Sequence, residues 1–292
     1  MRAVVALAIT AAGLAPATLQ AQTTVLEPSS KWHLDYADAS CRLGRTFGEG
    51  DQKTELFLDQ HEPSRSFAWT VAGKPVERFS EQREPEVRFG TLPPVQRDRD
   101  QSGILGGELK GFGAALIGAG HKQELPFDAQ KEIATPGLSQ LDLGDGSQVT
   151  WIELARGDKR RLRLNTGSMK GAFEALNRCT GDLVKAWGLD LEQQQARSSR
   201  PDWINKDAVA RQLRYPATAL RAGNRARLNM RIMVDANGKP TQCVLTKVTL
   251  ADAFNEAACQ QVMRSARFIP ARGADGRPIA SYYSTDIVYV IG

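Results

Sequence analysis

Histidine is scarce in this chain: three occur among 292 residues. They are His33, His61 and His121, and no two of them stand at the spacing of zinc ligands such as H-E-x-x-H. The G-x-S-x-G pattern of serine hydrolases is also missing. The Gly-rich stretch Gly103–Gly120 follows neither the dinucleotide-binding nor the P-loop pattern. We therefore predict no metal, no cofactor and no catalytic residue, and we predict that the protein is not an enzyme.

The chain also lacks a long hydrophobic run beyond its N-terminus. The run Ala3–Ala17 is apolar, follows Arg2 and ends shortly before Gln22. This pattern is typical of a secretory signal peptide that covers residues 1–21 and is cleaved before Gln22. An uncleaved inner-membrane anchor is the alternative, but the run is short for the ~30 Å of hydrocarbon in a bilayer, and Pro16 interrupts its end. We predict an exported protein.

Negative charge is depleted toward the C-terminus. From Pro201 onward there are 13 Lys and Arg against 7 Asp and Glu, whereas residues 22–200 carry 24 against 26. This asymmetry predicts two domains with different surfaces. No nucleic-acid-binding motif accompanies the basic residues, so we predict no nucleic-acid partner.

Cysteine is rare as well, with four residues in the chain. An exported protein folds in an oxidising compartment, so these residues are expected to form disulfides. Four cysteines allow three pairings, and their number alone does not choose among them.

Residues 22–188 are predicted to form a β-rich domain closed by a helix. Short runs such as "KTELFLDQ" and "RSFAWTVAG" alternate in part and are separated by Gly, Pro and charged residues. Apolar residues then recur at helical spacing over Met169–Trp187, which places Cys179 on the buried face of that helix. The polar, unpatterned segment 189–201 is predicted to be a linker.

Residues 202–292 are predicted to form a second domain in the order helix, strand, strand, helix, strand. The segment Ala226–Val234 alternates apolar and polar residues, as a half-buried antiparallel strand does. Asn237-Gly238 favours a hairpin turn into a partner strand. An apolar stripe predicts a helix from Ala253 to about Ala266, and the β-prone segment Ile279–Ile291 predicts the last strand. We therefore predict an α+β fold in which one sheet packs against its helices.

Several motifs of the second domain occur in a characteristic order. They are Tyr215-Pro216 with Ala219, the strand Arg225–Val234, the turn Asn237-Gly238, the pair Cys243 and Cys259, and the segment Arg267–Ala271. In this order they resemble the C-terminal domain of the TonB family, including a branch of that family with two cysteines at this spacing. The resemblance covers roughly the last 80 residues. The segments 248–250 and 254–255 depart from the family pattern.

The resemblance implies a periplasmic binding module of a Gram-negative cell envelope. In the TonB family, a short peptide of an outer-membrane receptor pairs with the last strand of this domain. The implied partner is therefore an outer-membrane receptor or another envelope protein, and the implied wider role is TonB-dependent transport. An energy-transducing TonB also has a membrane anchor and a Pro-rich spacer. Here the first domain, which resembles no family, occupies the position of the spacer.

The last strand is predicted to be an open docking edge. An uncovered edge presents unpaired N–H and C=O groups, which proteins normally protect with charged residues. Asp286 is nevertheless the only charged residue between Ile279 and Ile291. A partner strand would gain main-chain hydrogen bonds there. The alternative is that the strand lies inside the sheet or pairs in a homodimer. The predicted partner-binding residues are Tyr215, Pro216, Tyr283, Thr285, Ile287 and Tyr289, the last four on one face of the strand.

Two disulfides are predicted, one in each domain. Cys41 is predicted to pair with Cys179, which would tie the start of the first domain to its closing helix. Cys243 is predicted to pair with Cys259, which joins a strand to the helix expected to pack on it. Closing this loop of ~15 residues would contribute about 3 kcal/mol in the chain-entropy model.

A second class of function stays open: an envelope enzyme of hydrolase type, targeted by its TonB-like domain. A buried polar cluster that holds His33 or His61 with a carboxylate in the first domain would favour the enzyme. His121 follows the glycines and is the strongest single catalytic candidate, but we interpret it as a lone surface histidine. A first domain without a polar cleft, joined to a second domain with a free sheet edge, would favour the binding module.

Overall fold

The computed structural model describes residues 22–37, 39–79, 85–93, 104–121, 136–157, 160–221, 226–248 and 252–289. The predicted signal peptide lies outside these ranges. Within them, no helix is both long enough and apolar enough to cross a membrane.

The first part of the chain, residues 22–188, is built on two β-sheets. A six-stranded antiparallel sheet has the strand order β2-β3-β4-β5-β8-β7, and a four-stranded sheet has the order β1-β10-β9-β6, with β1 parallel to β10. This arrangement confirms the predicted β-rich character. The elements are β1 (Gln22–Leu26), β2 (His33–Ala37), β3 (Ser40–Phe47), β4 (Thr54–Gln60), β5 (Ala68–Ala72), β6 (Glu86–Phe89), β7 (Leu105–Leu109), β8 (Gly113–Ala119), α1 (Leu143–Gln148), β9 (Ile152–Arg156), β10 (Arg160–Leu164) and α2 (Lys170–Ala186).

The helix α2 closes the core of the first part, as the hydrophobic spacing predicted. Phe173 on its apolar face is fully buried in the core that also contains Trp69. Cys179 on the same face forms a disulfide with Cys41 of β3, with an S–S distance of 2.02 Å, and both cysteines are 0% exposed. The predicted Cys41–Cys179 pairing is confirmed, and it joins the helix covalently to the six-stranded sheet.

The connecting segment, residues 189–201, contains a short helix, α3 (Leu191–Ala196). The Asp190 carboxylate caps this helix by accepting a hydrogen bond of 3.1 Å from a backbone N–H of its first turn. Gln194 and Arg197 are only 0% and 1% exposed. Hydrophobic periodicity gives no signal for this segment, because the side chains that it buries are polar. The division into two domains at this segment stays a prediction.

The second part of the chain, residues 202–292, is centred on a three-stranded antiparallel sheet of order β13-β12-β17. The helix α6 packs on one face of this sheet, and two short strand pairs, β11–β14 and β15–β16, complete the structure. The elements are β11 (Asp202–Trp203), α4 (Lys206–Ala210), α5 (Ala217–Arg221), β12 (Ala226–Val234), β13 (Pro240–Val248), α6 (Asp252–Ser265), β14 (Phe268–Ile269), β15 (Ala271–Arg272), β16 (Pro278–Ile279) and β17 (Ser281–Tyr289).

The sheet and α6 share an apolar core that follows the alternation seen in the sequence. A disulfide between Cys243 of β13 and Cys259 of α6, with an S–S distance of 1.97 Å, fastens the helix to the sheet. The second predicted pairing and the predicted α+β fold are thereby confirmed. The residues of this core that are 0–1% exposed include Leu228, Met230 and Ile232 of β12 and Ala258 and Val262 of α6.

The first helix predicted for the second part is interrupted at Tyr215-Pro216, as the sequence indicates, because proline disfavours helical geometry at the residue before it; α4 and α5 lie on either side of this interruption. One element differs from its predicted extent. The predicted last strand, Ile279–Ile291, is divided, and its residues 290–291 lie outside the described residues. Ile279 pairs with Ala271 in the β15–β16 hairpin, and the strand of the main sheet begins at Ser281.

Gly238, in the turn between β12 and β13, should not tolerate a side chain. Its φ is 77°, and an added Cβ would lie 1.9 Å from the carbonyl oxygen of Phe268. Left-handed geometry alone costs a non-Gly residue about 1–2 kcal/mol. We therefore expect Gly238→Ala to lower the free energy of unfolding by about 3 kcal/mol or more, because the clash adds to this strain. Urea unfolding followed by circular dichroism measures the loss.

Gly276→Ala is the matched control for this substitution. Gly276 has a φ of 75°, and no atom lies within 4 Å of an added Cβ. Its replacement should cost about 1 kcal/mol from backbone strain alone. Equal losses in the two variants would show that the contact with Phe268 does not constrain the turn.

Candidate functional site

The terminal strand β17 lies at one edge of the three-stranded sheet. It pairs antiparallel with β12, from Ser281 opposite Val234 to Tyr289 opposite Ala226. Among the described residues, no strand pairs with the other side of β17. In the described part of the chain, β12 takes the central position of this sheet and β17 lies at an edge, against the alternative in which the last strand lies inside the sheet.

Three of the predicted partner-binding side chains face the core of their own domain. Tyr283 packs against Phe268 with ring centroids 5.4 Å apart, and Ile287 packs against the same core. Tyr289 is 5% exposed and meets the ring of Tyr215 at 5.5 Å, and burial raises the pKa of the Tyr289 phenol. A strand added at this edge would therefore contact the backbone of β17 rather than these side chains.

The accessibility of β17 changes along its length. Of the remaining predicted residues, Thr285 and Pro216 are both partly exposed. Ser284, Asp286 and Val288 alternate with the core-facing residues and lie on the face turned away from α6. Asp286 and Val288 are exposed, Val288 to 55%. The open stretch of the strand is therefore residues 283–288.

The beginning of β17 is covered by the first part of the chain. The ring of Tyr282 packs edge-on against Trp187, directly after α2, with centroids 5.0 Å apart. Val184 of α2 and Met233 of β12 complete this apolar contact. Ser281 and Tyr282 are 0% and 2% exposed, so a second strand cannot pair with them while this contact is intact.

The connecting segment adds a buried polar cluster at the same place. Arg197 Nη1 donates hydrogen bonds to Ser281 Oγ at 2.9 Å and to Gln194 Oε1 at 3.1 Å, and Arg197 Nε donates to the carbonyl oxygen of Gly137 at 3.1 Å. The Ser281 hydroxyl donates to Gln194 Oε1 at 2.6 Å. Gln194 Nε2 in turn donates to the carbonyl oxygen of Ala280 at 2.8 Å. Burial lowers the pKa of Arg197, because it removes water from the charged guanidinium.

Glu62, two residues after β4, reaches the middle of β17. Its Oε2 accepts a hydrogen bond from the Ser284 hydroxyl. Burial raises the pKa of Glu62, and the Ser284 hydrogen bond and the charges of Arg200 and Arg231 oppose this shift without cancelling it. The Arg231 guanidinium lies 3.8 Å from the ring centroid of Trp187, and burial lowers its pKa. Charged side chains from both parts of the chain therefore meet beside the terminal strand.

The sequence carries no signal for most of these residues. Glu62, Gln194 and Arg197 are polar and lie far from β17 along the chain, so periodicity cannot bring them together. Arg231 belongs to the polar face of an alternating strand, and that alternation predicts exposure. Packing against Trp187 instead leaves Arg231 only 5% exposed.

The histidines lie apart from this contact. His33 is exposed on β2, and Nδ1 of His61 lies 3.3 Å from the carbonyl oxygen of Ala39. His121, predicted to be a surface residue, is 1% exposed and stacks on Phe67 with centroids 4.8 Å apart. That prediction is wrong because the His121 ring packs among Phe67, Phe89 and Phe173. Within the described ranges, no group of three or more His, Cys, Asp or Glu residues is placed to hold a metal ion.

Residues 211–291 match the family model described as the Gram-negative bacterial TonB protein C-terminal. The second part of the chain therefore contains a TonB C-terminal domain, as its ordered motifs predicted. A domain of this family indicates a protein of the Gram-negative cell envelope.

Among solved structures, the chain is similar to the solution NMR structure of the TonB C-terminal domain from Helicobacter pylori, with 17% sequence identity. The match covers 36% of this chain and 86% of that chain. Its TM-score is 0.25. No curated protein matches the chain.

Proposed function

We propose that this protein is a periplasmic TonB-like module that binds an outer-membrane receptor or another envelope protein by β-strand addition to β17. The observation that carries this proposal is the open side of β17 in a domain of the TonB C-terminal type. A link to TonB-dependent transport is part of the proposal and is supported by the class of the domain.

The open side of β17 has the chemistry that strand addition needs. Within the strand, only residues 283–288 are more than slightly exposed. An extended segment at the usual strand spacing of about 4.8 Å would form main-chain hydrogen bonds there. Asp286 is the only charged side chain of the strand, so little charge opposes an approaching backbone.

Both ends of this open stretch are held in place. Tyr282 packs against Trp187 at one end, and Tyr289 packs against Tyr215 at the other. A strand that is already ordered loses less conformational entropy when a partner binds, which favours affinity. The family motif residue Tyr215 thus supports the edge through the ring of Tyr289.

Site-specific photo-cross-linking in the cell tests this function. A benzoylphenylalanine placed at Val288 lies beside the open edge, and we expect it to cross-link to an outer-membrane or other envelope protein. The same residue at Leu105 is the matched control, because Leu105 is 58% exposed but belongs to the first part of the chain. Cross-linking at Val288 to a second copy of this chain alone would indicate a homodimer and would overturn the proposal, as would identical products at both positions.

A further inference from the structure

The docking edge is closed at one end by residues outside the TonB C-terminal domain. Gln194 Nε2, in the connecting segment, donates a hydrogen bond to the carbonyl oxygen of Ala280. The next two residues, Ser281 and Tyr282, are 0% and 2% exposed, whereas Val288 is 55% exposed. A strand added to β17 must therefore end its pairing near Tyr283, next to the first part of the chain.

Glu62, a charged residue of the first part, contacts β17 at Ser284, where the open stretch begins next to this closed end. Its carboxylate is hydrogen-bonded to Ser284, which stands on the same face of β17 as Asp286. The positive charges that act on Glu62 are those of Arg200 and Arg231, and the negative charge of Asp286 opposes them. A side chain of an added strand beside Ser284 would have its Cβ about 5 Å from that of Ser284, within reach of Glu62.

The Glu62 carboxylate accepts a hydrogen bond from Ser284, on the strand whose other side is open among the described residues. Burial raises its pKa, and the Ser284 hydroxyl, Arg200 and Arg231 oppose this shift. A partly desolvated carboxylate gains from a further cation that also donates a hydrogen bond. A lysine or arginine has this chemistry, whereas a second carboxylate there would be repelled by both Glu62 and Asp286. Arg231 lies opposite Ser284 on β12, one strand farther from the added strand.

We propose that Glu62 is a specificity-determining residue of the docking site and that it selects a partner segment with a basic side chain beside Ser284. This inference rests on the proposed function, strand addition at β17. It gives the first part of the chain a direct role in recognition, because its Glu62 contributes to the surface that the partner meets. The partner is an extended segment of an envelope protein with a lysine or arginine near the end of its paired stretch.

An array of immobilised synthetic peptides tests the selection. Each peptide has eight residues of alternating valine and threonine, with one lysine or one glutamate placed at successive positions. We expect the full-length, disulfide-bonded protein to bind the lysine peptide about tenfold more tightly than the glutamate peptide at one position. In Glu62→Gln, which keeps the shape and the acceptor for Ser284, the difference should fall below about twofold. The lysine preference should persist in the control variant Glu174→Gln, which changes an exposed residue of α2.

The outcomes separate this inference from the function on which it rests. The second measurement uses whichever of Thr285→Pro and Val288→Pro faces the open edge of β17. If this proline abolishes peptide binding but Glu62→Gln keeps the full lysine preference, or no preference exists, then the role of Glu62 is overturned and strand addition stands. If this proline leaves peptide binding unchanged, or if no peptide binds, then strand addition fails and the inference fails with it.

Discussion

Of the two variants Thr285→Pro and Val288→Pro, one is expected to abolish capture of the envelope partner. The other is expected to weaken folding instead. Successive N–H groups of a strand point to opposite sides. Thr285 and Val288 are three residues apart, so one N–H joins the ladder with β12 and the other points to the open edge of β17. Proline removes the N–H at its position and adds a ring that blocks close pairing.

The two outcomes are separated by measuring folding and capture on the same variants. The proline that faces the open edge should leave urea unfolding nearly unchanged and should reduce capture from envelope extract at least about tenfold. The proline that faces β12 should lower the free energy of unfolding by about 2–3 kcal/mol. Thr285→Ala and Val288→Ala are the controls, since they change the side chains but keep both N–H groups. A folded proline variant at each position with normal capture would rule out strand addition at β17.

Loss of the Cys41–Cys179 disulfide is expected to destabilise the protein more than loss of Cys243–Cys259. The two bridges have sequence separations of 138 and 16 residues. In the chain-entropy model, closing such loops contributes about 5 and about 3 kcal/mol, respectively. A loss of about 5 kcal/mol is comparable to the whole stability of many domains. Cys41 and Cys179 are also fully buried, so their replacement leaves unfilled core volume.

Urea unfolding of two double variants, Cys41→Ala/Cys179→Ala and Cys243→Ala/Cys259→Ala, measures this difference without reductant. Each pair serves as the control for the other, because both variants lose two sulfur atoms and keep one bridge. The first variant should unfold at a clearly lower urea concentration. The reverse order would mean that the long loop is already restrained in the unfolded chain, and the entropic account of this bridge would then be wrong.

The first part of the chain stands where the resemblance to the TonB family implies a Pro-rich spacer. A flexible spacer positions a binding domain only loosely. Here Trp187 packs against Tyr282, and Arg197 holds Ser281 with its charged hydrogen bond. The proposed docking edge is therefore held in a fixed orientation by contacts with the first part of the chain and the connecting segment.

The sequence by itself determined the features that depend on local pattern. Period-two alternation over Ala226–Val234 predicted β12, the Asn237-Gly238 turn predicted its hairpin with β13, and helical spacing over Met169–Trp187 predicted α2 with Cys179 turned inward. These signals suffice because strand, turn and helix each leave a characteristic spacing of apolar and special residues along the chain. The TonB C-terminal domain was indicated instead by the order of motifs such as Tyr215-Pro216 and Asn237-Gly238, which resembles that family.

Only the tertiary structure decided which surfaces meet. Whether β17 stands inside or at the edge of its sheet depends on strand order, and one strand's pattern does not encode its neighbours. The burial of Gln194, Arg197 and Arg231 depends on polar partners that come from distant segments. A polar side chain can be buried once its hydrogen bonds or charges are met, and that condition is set in three dimensions rather than by spacing along the chain. The closed end of the docking edge, with Glu62 beside Ser284, follows from this packing alone.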